Sequence, residues 1–129
     1  MEAIKRQILC VEQNEDTRFM MSVLLRLEGY EVVSAGTFAE GLQKAENEFF
    51  DLYIIDQAFP DGVGTELCKK IRTFDQDTPI LYYSSVPRES DLRKAIAAGV
   101  QSYLIKPYVD ELENTVSELI KQSDERVTH

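Results

Sequence analysis

Several residue types that would point to a metal or disulfide scaffold are scarce in this chain. It contains a single histidine (His129) and two cysteines, Cys10 and Cys68, which lie far apart and form no Cys-x-x-Cys motif. Zinc sites and disulfide frameworks need more such residues at closer spacing, so neither is predicted. The two cysteines are instead expected to be small buried residues in a reducing compartment.

Long hydrophobic runs are also absent. The apolar stretch that follows Lys5 and Arg6 comprises only residues 8–11, which is shorter than the core of a signal peptide. No segment reaches the length of a membrane-spanning helix. We therefore expect a cytoplasmic protein without a membrane partner.

Positive charge is in the minority, with 14 Lys and Arg against 23 Asp and Glu and a formal net charge of −9. This charge repels phosphate backbones, so direct binding to nucleic acid is not expected and the partner is predicted to be another protein. The length of 129 residues, with 43% apolar and 29% charged residues, fits one globular domain. We expect a single domain over residues 1–129, in which residues 123–129 form a frayed tail.

Short apolar runs alternate with segments of helical periodicity along the whole chain. The runs are nearly continuous in hydrophobicity, which is typical of strands that are covered on both faces. They comprise residues 8–11, 32–33, 52–55, 80–83 and 103–105. Strict alternation of strands and helices favours an α/β fold with one parallel sheet and helices on both faces.

The helical segments carry apolar residues at every third or fourth position, and these stripes are predicted to pack in the core. They consist of Met20, Leu24 and Leu27; Phe38, Leu42, Ala45 and Phe49; Leu67, Ile71 and Phe74; Leu92 and Ile96; and Leu112, Val116 and Leu119. Boundary residues agree with this assignment, because Gly29 and Gly99 can end the first and fourth helices and Thr37 can cap the second.

A polar residue follows four of the five apolar runs, where each strand should end. These residues are Glu12, Asp56, Ser84 and Lys106, after the first, third, fourth and fifth runs. In doubly wound sheets, ligands bind beyond the carboxyl ends of the strands, at the point where strand order reverses. The four side chains are therefore predicted to converge. Such a site could hold a hard cation, offer Asp56 to a phosphoryl donor and offset the charge of the product with Lys106.

Four segments resemble, in the same order, the signatures of response-regulator receiver domains of two-component signalling. They are residues 8–12 (ILCVE), 51–56 (DLYIID), 78–85 (TPILYYSS) and 103–107 (YLIKP). The second is extended by Pro60 and Gly64, which follow Asp56 at the spacing that the family shows. Several motifs in register are far more specific than one, and these span most of the chain.

The resemblance implies a flavodoxin-like (βα)5 fold, a doubly wound parallel sheet with strand order 2-1-3-4-5. It implies a signalling domain rather than a conventional enzyme, although members of the family catalyse their own phosphoryl transfer and dephosphorylation. The implied partners are a histidine kinase or phosphotransfer protein and a downstream protein target. A homodimer through the fourth and fifth helices is compatible with the family, and no residue pattern here decides it.

The resemblance also assigns roles to the strand-end residues. Asp56 would accept the phosphoryl group, Ser84 would supply the hydroxyl that turns toward it, and Lys106 would pair with its charge. These three residues would carry the chemistry. Tyr103 would be the aromatic switch residue that moves with Ser84.

The metal site departs from the family pattern. By resemblance, Mg²⁺ would be held by Glu12, Asp56 and the backbone carbonyl of Ala58, together with a second acid after the first strand. That second acid is replaced here by Gln13. Because Mg²⁺ is usually held through carboxylates, the neutral amide is expected to weaken metal binding.

Particular residues bear on three alternatives to a phosphorylated receiver. Gln13 is compatible with a pseudo-receiver, which would keep the fold as a binding module and act without phosphorylation. A flavodoxin-like carrier is disfavoured because the acidic loop 12–16 would repel the phosphate of FMN. A haloacid-dehalogenase-type phosphatase is disfavoured because Ala58 stands where its second acid would be.

Overall fold

The computed structural model describes residues 5–84, 89–105 and 111–127. Five strands form one parallel sheet and are numbered here in chain order: β1 (Gln7–Val11), β2 (Glu31–Ala35), β3 (Leu52–Asp56), β4 (Ile80–Ser84) and β5 (Ser102–Ile105). The strand order is β2-β1-β3-β4-β5, and every neighbouring pair is parallel. This confirms the predicted flavodoxin-like sheet of order 2-1-3-4-5.

In the described part of the chain, five helices connect and cover the strands. They are α1 (Glu15–Leu27), α2 (Phe38–Asn47), α3 (Gly64–Arg72), α4 (Glu89–Ala97) and α5 (Leu112–Val127). One core cluster joins the sheet to α2, α3 and α4, and a second joins its other face to α1 and α5. Alternate residues of β1 enter opposite clusters, with Leu9 in the first and Ile8 in the second. The sheet is therefore covered on both faces, as the continuous apolar runs predicted.

The predicted apolar stripes are only partly buried. On α1 the buried apolar side chains are Met21 and Leu25, whereas Met20 and Leu27 of the predicted stripe are 37% and 77% exposed. The reason is that α1 carries apolar residues on most of its circumference, so periodicity alone does not select the face that meets the sheet. Stripe members near or beyond the ends of other helices are also exposed. These are Phe49, Phe74 and Ile96.

The predicted helix boundaries are confirmed. Gly29 and Gly99, which follow α1 and α4, adopt positive φ values of 97° and 94°, a conformation that L side chains rarely take. The Thr37 hydroxyl accepts a hydrogen bond from the Glu40 N–H at the start of α2. At the carboxyl-terminal end α5 extends to Val127, and the frayed tail expected over residues 123–129 stays a prediction.

Asp124 in this last part of α5 pairs with Arg6 at 2.8 Å, an ion pair that links the helix to the start of the chain. Residues 128–129 lie outside the described part of the chain. Among the helices that the structure describes, none combines the length and the apolar character needed to cross a membrane.

Buried ionisable groups, among them Tyr53, Cys68 and Tyr82, are expected to make the fold sensitive to alkaline pH, because burial raises the pKa of each. Burial raises the pKa of Cys68 from 9.0 to about 12, and burial with nearby negative groups raises the pKa of Tyr82 from 10.0 to about 12. A raised pKa contributes stability that is complete below the unfolded-state value and is lost as pH rises toward the folded-state value. We expect the free energy of unfolding to fall between about pH 9 and 12, by ~1.4 kcal/mol per pH unit for each group within its window.

Denaturant unfolding across this pH range measures the decline. The control is Cys68→Ala, which removes the titrating thiol and should make the decline shallower, most clearly between about pH 9 and 10, where Tyr82 does not yet contribute. A slope that is the same in Cys68→Ala and in the unaltered protein would contradict the assignment.

Candidate phosphoacceptor site

Three of the four strand-end residues lie at one edge of the sheet. Val11 is paired with Ile55 in the β1–β3 register, so Glu12 and Asp56 follow on adjacent strands. Asp56 is itself paired with Tyr83, and Ser84 is the next residue of β4. Glu12, Asp56 and Ser84 are almost fully buried, with exposures of 1%, 2% and 2%. Two carboxylates and a hydroxyl are thus set into the end of the sheet.

Lys106, the fourth residue, lies outside the described part of the chain, as does Pro107. The described register ends with Ile105, which is paired with Ser84. Tyr103 is described. It lies on β5 opposite Tyr82, and its side chain is 40% exposed. The roles that the resemblance assigned to these residues stay predictions.

The Asp56 carboxylate is held by backbone amides from two loops. Its Oδ1 accepts a hydrogen bond of 2.7 Å from the N–H of Gln57, and its Oδ2 accepts a longer one of 3.4 Å from the N–H of Gln13. Hydrogen bonds from backbone N–H groups fix the orientation of a carboxylate. The Asp56 carboxylate is therefore held in a defined orientation at the carboxyl end of β3.

The loop after β1 is shaped by contacts that the sequence did not reveal. The N–H of Glu12 donates to the carbonyl of Ala35 (3.0 Å), and the Arg18 guanidinium donates to the carbonyl of Glu12 (2.8 Å). Asn14 caps α1 by accepting from the N–H of Thr17 at 2.9 Å. The backbone of Glu12 is thus tied to β2 and α1, while the Gln13 side chain is exposed.

Gly64 closes the loop over Asp56. A short antiparallel hairpin of Ala58–Phe59 and Gly62–Val63 turns the chain back, and the N–H of Gly64 donates to the carbonyl of Gln57 at 2.8 Å. A Cβ atom on residue 64 would lie 2.0 Å from the carbonyl oxygen of Asp56, which no real structure tolerates. This contact explains in physical terms why a glycine stands eight residues after the aspartate.

Gln57 is the site residue that sequence reasoning missed. Its half-buried side chain accepts a hydrogen bond from the Ser84 hydroxyl through Oε1, while its backbone N–H binds Asp56. It therefore contacts both the candidate phosphoacceptor and the candidate switch hydroxyl. The signal in the sequence that points to Gln57 is its position directly after Asp56.

The side chains around Asp56 include few acidic donors for a divalent cation. Within residues 5–84, 89–105 and 111–127, no cluster of three or more His, Cys, Asp or Glu side chains could hold a metal ion. The edge of the sheet does provide two carboxylates, Glu12 and Asp56, with the neutral Gln13 beside them. Mg²⁺ is commonly held through one or two carboxylates with several waters, so these residues fit the ion, with less charge than a three-acid pocket.

Comparison with known proteins decides the family. A family model for the response regulator receiver domain matches residues 8–117. The chain belongs to this family. Phosphorylation in two-component signalling is the behaviour of the family, and the receiver signatures in the sequence are thereby confirmed.

The receiver domain also resembles individual proteins. The alkaline phosphatase synthesis transcriptional regulatory protein PhoP of Bacillus subtilis is 30% identical over 122 residues, which cover 94% of this chain and 51% of PhoP. The chain spans about half the length of the curated relatives it matches. PhoP is a transcriptional regulatory protein, and the net charge of −9 disfavours nucleic-acid binding only by the 129 residues of this chain.

Two solved structures show how close the fold is. The CheY-like receiver domain protein of Methanospirillum hungatei has 29% sequence identity and a TM-score of 0.92, and the match covers 95% of this chain and 99% of that one. The receiver domain of a sensor histidine kinase from Pseudomonas aeruginosa has 25% identity and a TM-score of 0.84, with 92% and 99% coverage. That structure contains a magnesium ion coordinated in the active site cleft.

Proposed function

We propose that this receiver domain accepts a phosphoryl group on Asp56 from a histidine kinase or phosphotransfer protein. The observation that carries the proposal is the environment of Asp56. This carboxylate is 2% exposed, oriented by two backbone N–H groups, and adjacent to Glu12 and Ser84 at the carboxyl end of the sheet. An ordinary turn aspartate would be solvated instead.

In the proposed reaction a carboxylate oxygen of Asp56 attacks the phosphorus of the donor. The new O–P bond forms as the bond from phosphorus to the donor nitrogen breaks, and the donor imidazole leaves with its electron pair and is reprotonated. The product is an acyl phosphate with added negative charge. Ser84 would donate its hydroxyl to a phosphoryl oxygen, and Lys106 would offset the charge.

Mg²⁺ is part of the proposal. Glu12, Asp56 and the backbone carbonyl of Ala58 would hold it, with Gln13 as a weaker fourth contributor. The ion would neutralise charge on the phosphoryl oxygens during transfer. The neighbour with magnesium in its active site cleft supports this assignment by similarity.

The output of the switch is proposed to be a protein surface. Ser84 and Tyr103 would change together on phosphorylation, and the Tyr103 side chain is 40% exposed. A downstream protein, or a second copy of the domain, would read the change. Cytoplasmic location stays a prediction, in keeping with the burial of Cys10 and Cys68.

The direct test is incubation with acetyl phosphate and magnesium, followed by intact-mass measurement. The receiver domain should gain the mass of one phosphoryl group, and the gain should depend on magnesium. The rival proposal is a pseudo-receiver, favoured by Gln13. Absence of both mass gain and magnesium binding would support the pseudo-receiver.

Gln13→Asp is expected to tighten magnesium binding by about tenfold, which corresponds to ~1.4 kcal/mol. The reason is that the substitution restores a second acid after β1 and adds a carboxylate beside Glu12 and Asp56. Without metal the variant should be less stable because three acids repel one another, so magnesium should raise its melting temperature more than that of the unaltered protein. Calorimetry and thermal shift with magnesium measure both effects.

Gln13→Asn is the matched control, because it shortens the side chain as aspartate does but adds no charge. It should leave magnesium affinity close to that of the unaltered protein. Equal and tight binding by all three proteins would show that the amide does not limit the metal site.

A further inference from the structure

We propose that Gln57 is a positioning residue whose amide oxygen holds the Ser84 hydroxyl proton until Asp56 is phosphorylated. The inference rests on the proposed phosphorylation of Asp56 and adds a restraint built from a residue that the receiver signatures do not include. The hydrogen bond from the Ser84 hydroxyl to Gln57 Oε1 is called the Gln57–Ser84 latch.

The latch and the phosphoryl group compete for the same proton. A serine hydroxyl has only one O–H to donate. While that proton is directed to Gln57 Oε1, Ser84 cannot donate it to a phosphoryl oxygen on Asp56. Donation to the phosphoryl group therefore requires that the latch opens first.

Gln57 contacts both residues that take part in the competition for the Ser84 proton. Its backbone N–H is bonded to Asp56 Oδ1, which anchors the residue beside the nucleophile, and its side chain spans to Ser84, 27 residues further along the chain. A charge added to Asp56 would thus act on the anchor and on the held hydroxyl at the same time.

A cavity beside Gln57 could accommodate its side chain after the latch opens. Gln57 lines a cavity of about 270 Å³ between α3 and α4, together with Thr65, Asp91 and Lys94. These residues offer hydroxyl, carboxylate and ammonium partners to an amide. An open latch would therefore exchange one set of polar contacts for another rather than leave the amide without partners.

The first measurement is a double-mutant cycle on denaturant unfolding, with Gln57→Met, Ser84→Ala and the double variant. Methionine keeps the length of the side chain and removes the amide acceptor, and alanine removes only the hydroxyl. A latch should appear as a coupling of about fivefold in the unfolding equilibrium constant. Additive effects would overturn the latch, whether or not the protein can be phosphorylated.

The second measurement is binding of beryllofluoride, which mimics a phosphoryl group on an aspartate, in the presence of magnesium. Gln57→Met should bind about fivefold more tightly than the unaltered protein, because Ser84 no longer has to leave Gln57. The same substitution made in Ser84→Ala should have no effect, which a merely structural role of Gln57 would not predict.

The outcomes separate this inference from the proposed function. Beryllofluoride binding that is equally tight in Gln57→Met and the unaltered protein would overturn the latch and leave the phosphoacceptor role of Asp56 intact. Absence of binding in every variant, with the coupling still present in unfolding, would overturn the proposed function and the competition with it.

Discussion

Asp56→Asn is expected to abolish the gain in mass that acetyl phosphate and magnesium produce. The substitution replaces the attacking oxygen anion with a neutral amide of nearly the same shape, so the fold should be retained while the nucleophile is lost. Intact-mass measurement should show no phosphorylated species, whereas the unaltered receiver domain should be phosphorylated. Retention of the fold can be verified by comparing unfolding curves.

Asp61→Asn is the matched control for this loss. Asp61 is an exposed aspartate on the hairpin after β3, and its carboxylate accepts hydrogen bonds from the N–H groups of Phe38 and Ala39 at the start of α2. The Asp61→Asn substitution makes the same chemical change a few residues from Asp56 and should leave the gain in mass unchanged. A mass gain that persists in Asp56→Asn would assign the phosphoryl group to another residue.

The second large effect is expected from Gly64→Ala. The added methyl group would lie 2.0 Å from the carbonyl oxygen of Asp56, and this oxygen belongs to the backbone of β3, so no side chain can move to relieve the overlap. We expect a loss of about 3 kcal/mol in the free energy of unfolding, at the upper end of the usual cost of overpacking. Phosphorylation of the surviving folded protein should also slow, because Asp56 would be displaced.

Gly29→Ala separates this overlap from the general cost of replacing a glycine. Gly29 has a positive φ of 97°, and apart from its own chain neighbours no atom of the described residues lies within 4 Å of the position that a Cβ would occupy. Its substitution should cost about 1–2 kcal/mol through backbone strain alone and should leave the rate of phosphorylation unchanged. If Gly64→Ala were no more damaging than Gly29→Ala, the contact with Asp56 would not be what requires glycine at residue 64.

Gln13 and Gln57 affect the proposed site in different ways. Gln13 concerns charge, because its neutral amide stands where a second acid would help to hold a cation. Gln57 affects the direction of the Ser84 hydroxyl proton, because its side chain accepts the hydrogen bond that Ser84 would otherwise donate to the phosphoryl group. Compared with a receiver domain that has a second acid at residue 13 and no latch, this receiver domain should bind magnesium more weakly. It should also require more free energy to reach the phosphorylated conformation.

The sequence by itself determined the architecture and placed the site at the carboxyl ends of the strands. Continuous apolar runs indicate strands that are buried on both faces, and alternation with helices requires parallel pairing, which brings Glu12, Asp56 and Ser84 to the same end of the sheet. The caps at Gly29 and Thr37 were equally predictable. All of these features depend on local backbone preferences or on a repeating pattern along the chain.

Only the tertiary structure decided which neighbours these residues have. Periodicity on α1 favoured Met20 and Leu27 for the core, and packing against the sheet buried Met21 and Leu25 instead. The contact of Gln57 with Ser84 joins two strand ends that are 27 residues apart. Such contacts require the distance between separate segments to be set to within about one ångström. Close packing of all the surrounding side chains sets that distance, and no single stretch of sequence does.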